Sequence, residues 1–410
     1  MKAFKTLLIF FVITASILGL VVGLNWTAFK VVFSDPESFS EGSEWIEKTY
    51  SLAGLVEFME AAPEHVSLVS LNLTTPDDSI LYNAETPRVM GALSNLFLLM
   101  EFERQYQAGE LNPNDRIHRE EIDAFLVPTW YENTHRNAMR SVETTNGTMA
   151  LRDVRYLVSR NYSQAASDWL FFYLGAESVN ALIDSVGAGR IEPWIPGSGL
   201  QIAVIMRDED TEPHTEIARL HEMDTEERLS VAKTLSQRYV QDSDFAAEVG
   251  QRAGHIRNRL LADERATHRL WSRAEPLKLA EILADVMEGR FISTNAGARI
   301  LEPFGWAFED PVVQQHASEY GALFGSRLGF QTGMDFGTSV YTGNRFAQVL
   351  FFDDLPVAFY LHMSSNHMNQ DLQRRLIYDP ELRRLTRLAS EQRLTPRDET
   401  DAPTAAHTTF

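Results

Sequence analysis

Pro87–Pro113, PRVMGALSNLFLLMEFERQYQAGELNP, is the stretch on which the reading of this chain turns. From Ala92 to Gln107 it contains neither Gly nor Pro, and it predicts a helix over those residues. Ala108-Gly109 follows the helix, and Asn112-Pro113-Asn114-Asp115 closes the unit as a turn.

On the N-terminal side, His65–Leu73 (HVSLVSLNL) alternates apolar and polar residues and predicts a strand. Asp77-Asp78 makes a turn, and Ser79–Asn83 is its hairpin partner. Trp45–Ala61 carries Ile46, Leu52, Leu55, Val56 and Met59 at helical spacing, after a polar, acidic linker over Phe33–Ser43. On the C-terminal side, Leu151–Arg160, Ala165–Leu174 and Ser178–Val186 predict three helices. A loop marked by Pro193, Pro196, Gly197 and Gly199 follows. Arg207–Arg273 is highly charged and helical in period, with little aromatic content before Trp271, and predicts an inserted helical subdomain or lid. Leu277–Glu288 is helical. Strands are expected over Ala322–Phe330, Thr338–Tyr341, Phe346–Phe352 and Val357–Met363, the last two joined as a hairpin through Asp353-Asp354-Leu355-Pro356. Gln370–Arg387 predicts a closing helix. Thr395–Phe410 is a polar tail expected to be disordered.

Two strands, an all-helical middle, further strands and a terminal helix predict an α+β fold. One antiparallel sheet would draw on both chain ends, flanked by helices, with an all-helical lobe beside it. The expected organisation is an N-terminal signal anchor or signal peptide over residues 1–30, a linker and N-terminal helix over 31–64, one domain over 65–392 with an inserted helical segment at 207–273, and a tail over 393–410. No internal repeat is visible.

The chain has 410 residues and is 44% hydrophobic, enough for a sizeable core. Its net charge of -20 argues against a nucleic-acid partner, which needs a basic face. There is no cysteine, which removes disulfides, thiolate nucleophiles and Cys-ligated metals. Lys2 and Lys5 precede an uncharged run, Thr6–Phe29, with Asp35, Glu37, Glu41 and Glu44 beyond it. A cleaved signal has an apolar core of ~7–15 residues. This run is nearer the ~20 residues that span a bilayer. It predicts an inner-membrane anchor with the body outside the cytoplasm, periplasmic or extracytoplasmic.

Three short motifs carry the chemistry. Behind Ala92 and Asn95 come Glu101-Phe102, Arg104-Gln105 and Ala108-Gly109. Tyr162-Ser163-Gln164 precedes Ala165-Ala166-Ser167-Asp168-Trp169-Leu170 and Gly175. Gln331-Thr332-Gly333 follows the predicted strand ending at Phe330, with Leu277–Gly289 ahead of it. In order, spacing and flanks this pattern resembles the class A β-lactamases and related penicillin-binding serine hydrolases, over roughly Val66–Met206 and Ala274–Arg375. That family carries Ser-x-x-Lys, Ser-Asp-Asn and Lys-Thr-Gly at these places. The resemblance implies the β-lactamase/DD-peptidase architecture, a Ser nucleophile at the position of Ala92 and a Lys at that of Asn95. A methyl group cannot attack a carbonyl, and an amide cannot take its proton. Tyr162 stands where the proton-relaying Ser would be; a Tyr serves there in related Tyr-x-Asn enzymes when a cation lowers its pKa from ~10. Gln164 keeps an amide that could bind a carbonyl. Gln331 replaces the cation that holds a substrate carboxylate, while Thr332 and Gly333 match.

The resemblance therefore implies a pseudoenzyme: a cell-envelope protein whose cleft, with Tyr162, Gln164, Gln331 and Thr332 as ligand contacts, binds a peptidoglycan fragment or an envelope protein without turnover. The alternative is an active hydrolase of a β-lactam, peptide or ester through Tyr162 or Ser94. At ~100° per residue, positions 92 and 94 of an α-helix point about 200° apart, so Ser94 is expected to face away if Ala92 faces the cleft. A shift of the first motif to Ser94 also puts Phe97 at the Lys position, and a shift of the second to Ser159-Arg160-Asn161 breaks the match at Ala165–Leu170. Glu192 lies near the loop that carries the family's deacylating Glu. A third reading makes Arg207–Arg273 a docking surface. No cofactor or metal is implied: His-Glu-x-x-His, a phosphate loop and a Gly-x-Ser-x-Gly elbow are all absent, and His362 and His367 read as structural. The glycosylation triplets at Asn25, Asn72, Asn146 and Asn161 read as chance matches.

Overall fold

The computed structural model describes residues 36–394 except 129–130, 143, 256–260, 306–319, 328–329 and 340–341. The apolar run Thr6–Phe29 and the tail Thr395–Phe410 lie outside the described residues. Among the described residues no helix is long and apolar enough to cross a membrane.

Helices α1 (Pro36–Lys48) and α2 (Leu52–Ala61) lead into strands β1 (Val66–Asn72), β2 (Ile80–Tyr82) and β3 (Arg88–Val89). A 3-10 turn, Gly91–Ser94, opens helix α3 (Asn95–Ala108). Strand β4 (Arg116–His118), helices α4 (Arg119–Asp123) and α5 (Glu132–Ser141), strand β5 (Thr148–Ala150) and helices α6 (Leu151–Val158), α7 (Gln164–Leu174), α8 (Ala176–Gly187) and α9 (Gly197–Ile205) form the helical middle. Four helices follow, α10 (Pro213–Glu222), α11 (Thr225–Gln241), α12 (Ser243–His255) and α13 (Leu261–His268), over the segment expected to be an insertion. Strand β6 (Arg273–Ala274) and helices α14 (Pro276–Met287) and α15 (Thr294–Leu301) lead to strands β7 (Tyr320–Arg327), β8 (Phe330–Thr338) and β9 (Arg345–Asp353). Helices α16 (Val357–Ser365), α17 (Met368–Tyr378) and α18 (Pro380–Leu394) close the chain.

The fold class is α+β. Five strands in the order β2-β1-β9-β8-β7 make an antiparallel sheet from both ends of the chain. The period of two sorts its faces. Val69, Met334, Phe336, Ala347, Val349 and Phe351 point to the larger core, shared with α3, α7, α8 and α14. Val66, Leu68, Leu350 and Phe352 point to the core beneath α2 and the three terminal helices. Helices α10–α12 pack against α9 in two smaller clusters that also take in Val89, Val127 and Ile195.

Three expectations need correction. Pro36–Ser43 is not linker but the first part of α1. Gly42 lets that helix cross α16 closely: a Cβ there would lie 2.6 Å from the Phe359 amide nitrogen. Val357–Met363 is helical, so Asp353–Pro356 joins a strand to a helix and Pro356 is the cap. A short apolar run carries no periodicity that separates a strand from a buried helix. The closing helix is two helices, broken at Asp379-Pro380 because Pro offers no N–H to continue the first.

Candidate functional site

The start of the diagnostic helix is a 3-10 turn, entered at Gly91 with φ +53°. Ala92 is 4% exposed. Asn95 is buried, and its Nδ2 donates to the Val158 carbonyl at 2.9 Å. That carbonyl belongs to the last turn of α6 and would otherwise lack a donor. The amide at the Lys position is thus occupied in joining α3 to α6.

The second motif makes the turn into α7. Ser163 is its N-cap, with Oγ accepting the Ala166 N–H at 3.1 Å. Gln164 Nε2 donates to Asp168 Oδ1, one turn on, at 2.8 Å. Asp168 in turn accepts the Gly197 and Ser198 backbone N–H groups at 3.1 and 2.7 Å, capping α9. Burial pushes the Asp168 carboxyl up to about 6, against Ser198, Gln164 and Gly197, whose donors pull it down.

Ala92, Ser94, Asn95, Tyr162 and Gln164 line one cavity with Gly91, Ser167, Trp194, Ile195, Trp271 and Ser272. The two segments meet at this cavity. Its volume is about 20 Å³, room for a single water, whereas drug-sized ligands occupy ~300–1,000 Å³. Trp194, 2% exposed and stacked on Phe171 at 4.6 Å, and Trp271 form part of its wall. Among the described residues none that lines it is Asp, Glu, Lys, Arg or His; Tyr162 is the one titratable side chain.

Ser94 departs from expectation. It lines the cavity beside Ala92, because residues 91–94 wind as a tighter 3-10 turn and the cavity wraps around the helix start. Its Oγ donates to the Gly91 carbonyl at 2.8 Å.

The third motif also departs from expectation. Gln331, Thr332 and Gly333 lie within β8, an inner strand, and none lines the cavity. Gln331 faces the terminal helices, where its Nε2 donates to the Tyr360 carbonyl at 3.3 Å. Thr332 shares the opposite face with Met334 and is 1% exposed. The Gly333 carbonyl accepts from Gln373 Nε2 at 3.4 Å. Glu192 is likewise outside: its Oε2 accepts the Arg273 N–H at 2.9 Å and lies 3.8 Å from Arg228. Among the described residues no cluster of three or more His, Cys, Asp or Glu could hold a metal. Sequence reasoning missed Trp194, Asp168 and the row Asp123–His135–Ser163, whose spacing in the chain matches no motif.

No protein-family model matches the sequence, and no curated protein does. Among solved structures the chain is similar to a beta-lactamase from Chitinophaga pinensis, with 15% identity over 83% of this chain and 99% of that one and a TM-score of 0.47. It is similar to a beta-lactamase from Sphaerobacter thermophilus, with 16% identity over 83% and 98% and a TM-score of 0.48. An ancestral class A beta-lactamase matches with 12% identity over 83% and 100% and a TM-score of 0.46. Identities and TM-scores this low assign neither activity nor residue roles to this chain; its own geometry has to carry them.

Proposed function

We propose that this chain is a β-lactamase-like, serine-hydrolase-fold protein of the cell envelope that binds without catalysing acyl transfer. One observation carries the reading. Ala92, Asn95, Tyr162 and Gln164 meet at one cavity, with a methyl group at the nucleophile position and an amide spent on Val158 at the base position. Acyl transfer needs a nucleophile with a base within hydrogen-bond reach. Among the described residues lining the cavity none is His, Asp, Glu, Lys or Arg, so no lining cation lowers the Tyr162 hydroxyl towards the range of a working base.

The ligand is a peptidoglycan fragment or an envelope protein. A cavity of one water favours recognition at the rim by a protein partner, since a fragment must first displace Trp194 and Trp271. The body is held outside the cytoplasm by Thr6–Phe29, which protease accessibility in intact spheroplasts would test.

Intact mass spectrometry after incubation with benzylpenicillin and with a fluorophosphonate tests the inactive reading. No adduct on folded protein is expected. The placement of Ser94 on the cavity wall favours a second reading, a hydrolase using its hydroxyl. A stoichiometric adduct mapped to Ser94 or Tyr162 would replace the first reading with the second.

A further inference from the structure

Beside the cavity, one row of side chains has the composition of a hydrolytic triad. Ser163 Oγ lies 2.7 Å from His135 Nδ1, and His135 Nε2 lies 2.7 Å from Asp123 Oδ1. Ser163 and His135 are buried, at 0% and 2% exposure. Asp123 is partly exposed and paired with Arg119 at 3.0 Å. Burial, not the bonding, argues against a nucleophile: Ser163 is 0% exposed, and its bond to His135 is one an activated Ser would also make. Nε2–H donates to the Asp123 carboxylate, so the tautomer consistent with the network leaves Nδ1 to accept the Ser163 O–H. The same oxygen accepts the Ala166 N–H. The hydroxyl is engaged as donor and as acceptor, and it does not line the cavity.

What the row holds is its neighbour. Tyr162 has φ +52°, in the left-handed region that a residue with a side chain occupies only under constraint. Such a conformation persists where its surroundings overdetermine it. Here both flanking residues are tied to a single helix, α5. Ser163 is bonded to His135 within it, and Asn161 Nδ2 donates to Ser141 Oγ at 2.8 Å at its last residue. Backbone bonds from Asn161 to Tyr156 and from Ser163 to Leu157 fix the turn from the α6 side.

We propose that helix α5 is a clamp that positions Tyr162, the one titratable side chain lining the described cavity. Asp123 orients His135, His135 holds Ser163, and Ser141 holds Asn161. The turn between the two anchors fixes where the Tyr162 ring stands. His135 and Ser141 are positioning residues, and Ser163 is an acceptor and donor within the clamp. The proposal depends on these bonds alone and holds whatever the cleft binds.

The test is NMR of the full chain labelled with 13C in its tyrosine rings, with the Tyr162 signal identified by its loss in Tyr162→Phe. His135→Asn and Ser141→Ala are each expected to shift or broaden the Tyr162 signal while tyrosines remote from the turn stay in place. Ser141→Thr, which keeps the hydroxyl, is expected to restore it. Ser141 is exposed, so Ser141→Ala carries the test if His135→Asn does not fold. An unchanged Tyr162 signal in the folded variants would overturn the clamp. A fluorophosphonate adduct mapped to Ser163 would also overturn it, by making the row a working triad. An adduct on Ser94 would defeat the non-catalytic reading and leave the clamp standing.

Discussion

The Asp168 carboxylate accepts the Ser198 backbone N–H at 2.7 Å and so caps one buried helix from the interior of another. Burial pushes this carboxyl up to about 6 from 3.8, so the folded protein holds the proton more tightly than the unfolded chain. Between about pH 4 and pH 6 the native state binds more protons, and stability falls as pH rises through that window, by on the order of 3 kcal/mol. Asp168→Asn is expected to flatten this part of the stability curve, as read by urea unfolding across pH.

Asp335 extends the same behaviour to higher pH. It is fully buried on the sheet face beneath α17, opposite Gln348 across the strands. Burial pushes it up to about 8, against Arg374 and the Phe336 N–H. The sign is the same: stability falls as pH rises from about 4 towards 8. Asp335→Asn is therefore expected to match the parent protein near pH 5 and to exceed it at pH 9. A variant whose unfolding midpoint tracks the parent's at every pH would show that Asp335 titrates alike in the folded and the unfolded chain.

Glu101 behaves oppositely. Its side chain is closed to solvent but lies less deep than that of Asp168, and Arg104 donates to it twice at 2.7 Å and Gln105 once at 2.8 Å. Burial raises its carboxyl, but Arg104, Ser178 and Gln105 outweigh that and hold it below the usual value. Its stabilisation is present above the unfolded value of 4.5 and is lost as pH falls through the lower native value. Glu101→Gln is expected to cost ~1–3 kcal/mol at pH 7, with the difference narrowing in acid. A constant difference down to pH 2 would locate the loss in packing.

The antiparallel sheet drawn from both chain ends and the helices flanking it are legible because they rest on local periodicity. The misreadings have tertiary causes. Val357–Met363 is almost wholly apolar, and its helix packs closely on α1 at Gly42, a contact its sequence does not announce. Gln331-Thr332-Gly333 was placed one strand boundary out, since β7 ends at Arg327 and β8 begins at Phe330. Strand sequence does not fix register without its partners. Trp194 and Trp271 lie far apart in the chain, and nothing in their spacing announces that both line the cavity.

Gly199 tests whether the inserted helices are integral to the lobe or an appendage. It lies in α9, where that helix meets α11 of the insertion, and a Cβ at this position would stand 1.9 Å from the Ala232 carbonyl oxygen. That atom is backbone, so no rotamer change relieves the contact and one helix has to move. Overpacking of this kind costs ~1–3 kcal/mol, occasionally more, and α9 is the helix that Asp168 caps. Gly199→Ala is therefore expected to lower the unfolding midpoint of the whole protein in a single transition. It is also expected to raise hydrogen exchange in both α9 and α11. A second, earlier transition confined to 207–273, with α9 still protected, would instead mean that the insertion folds and unfolds by itself.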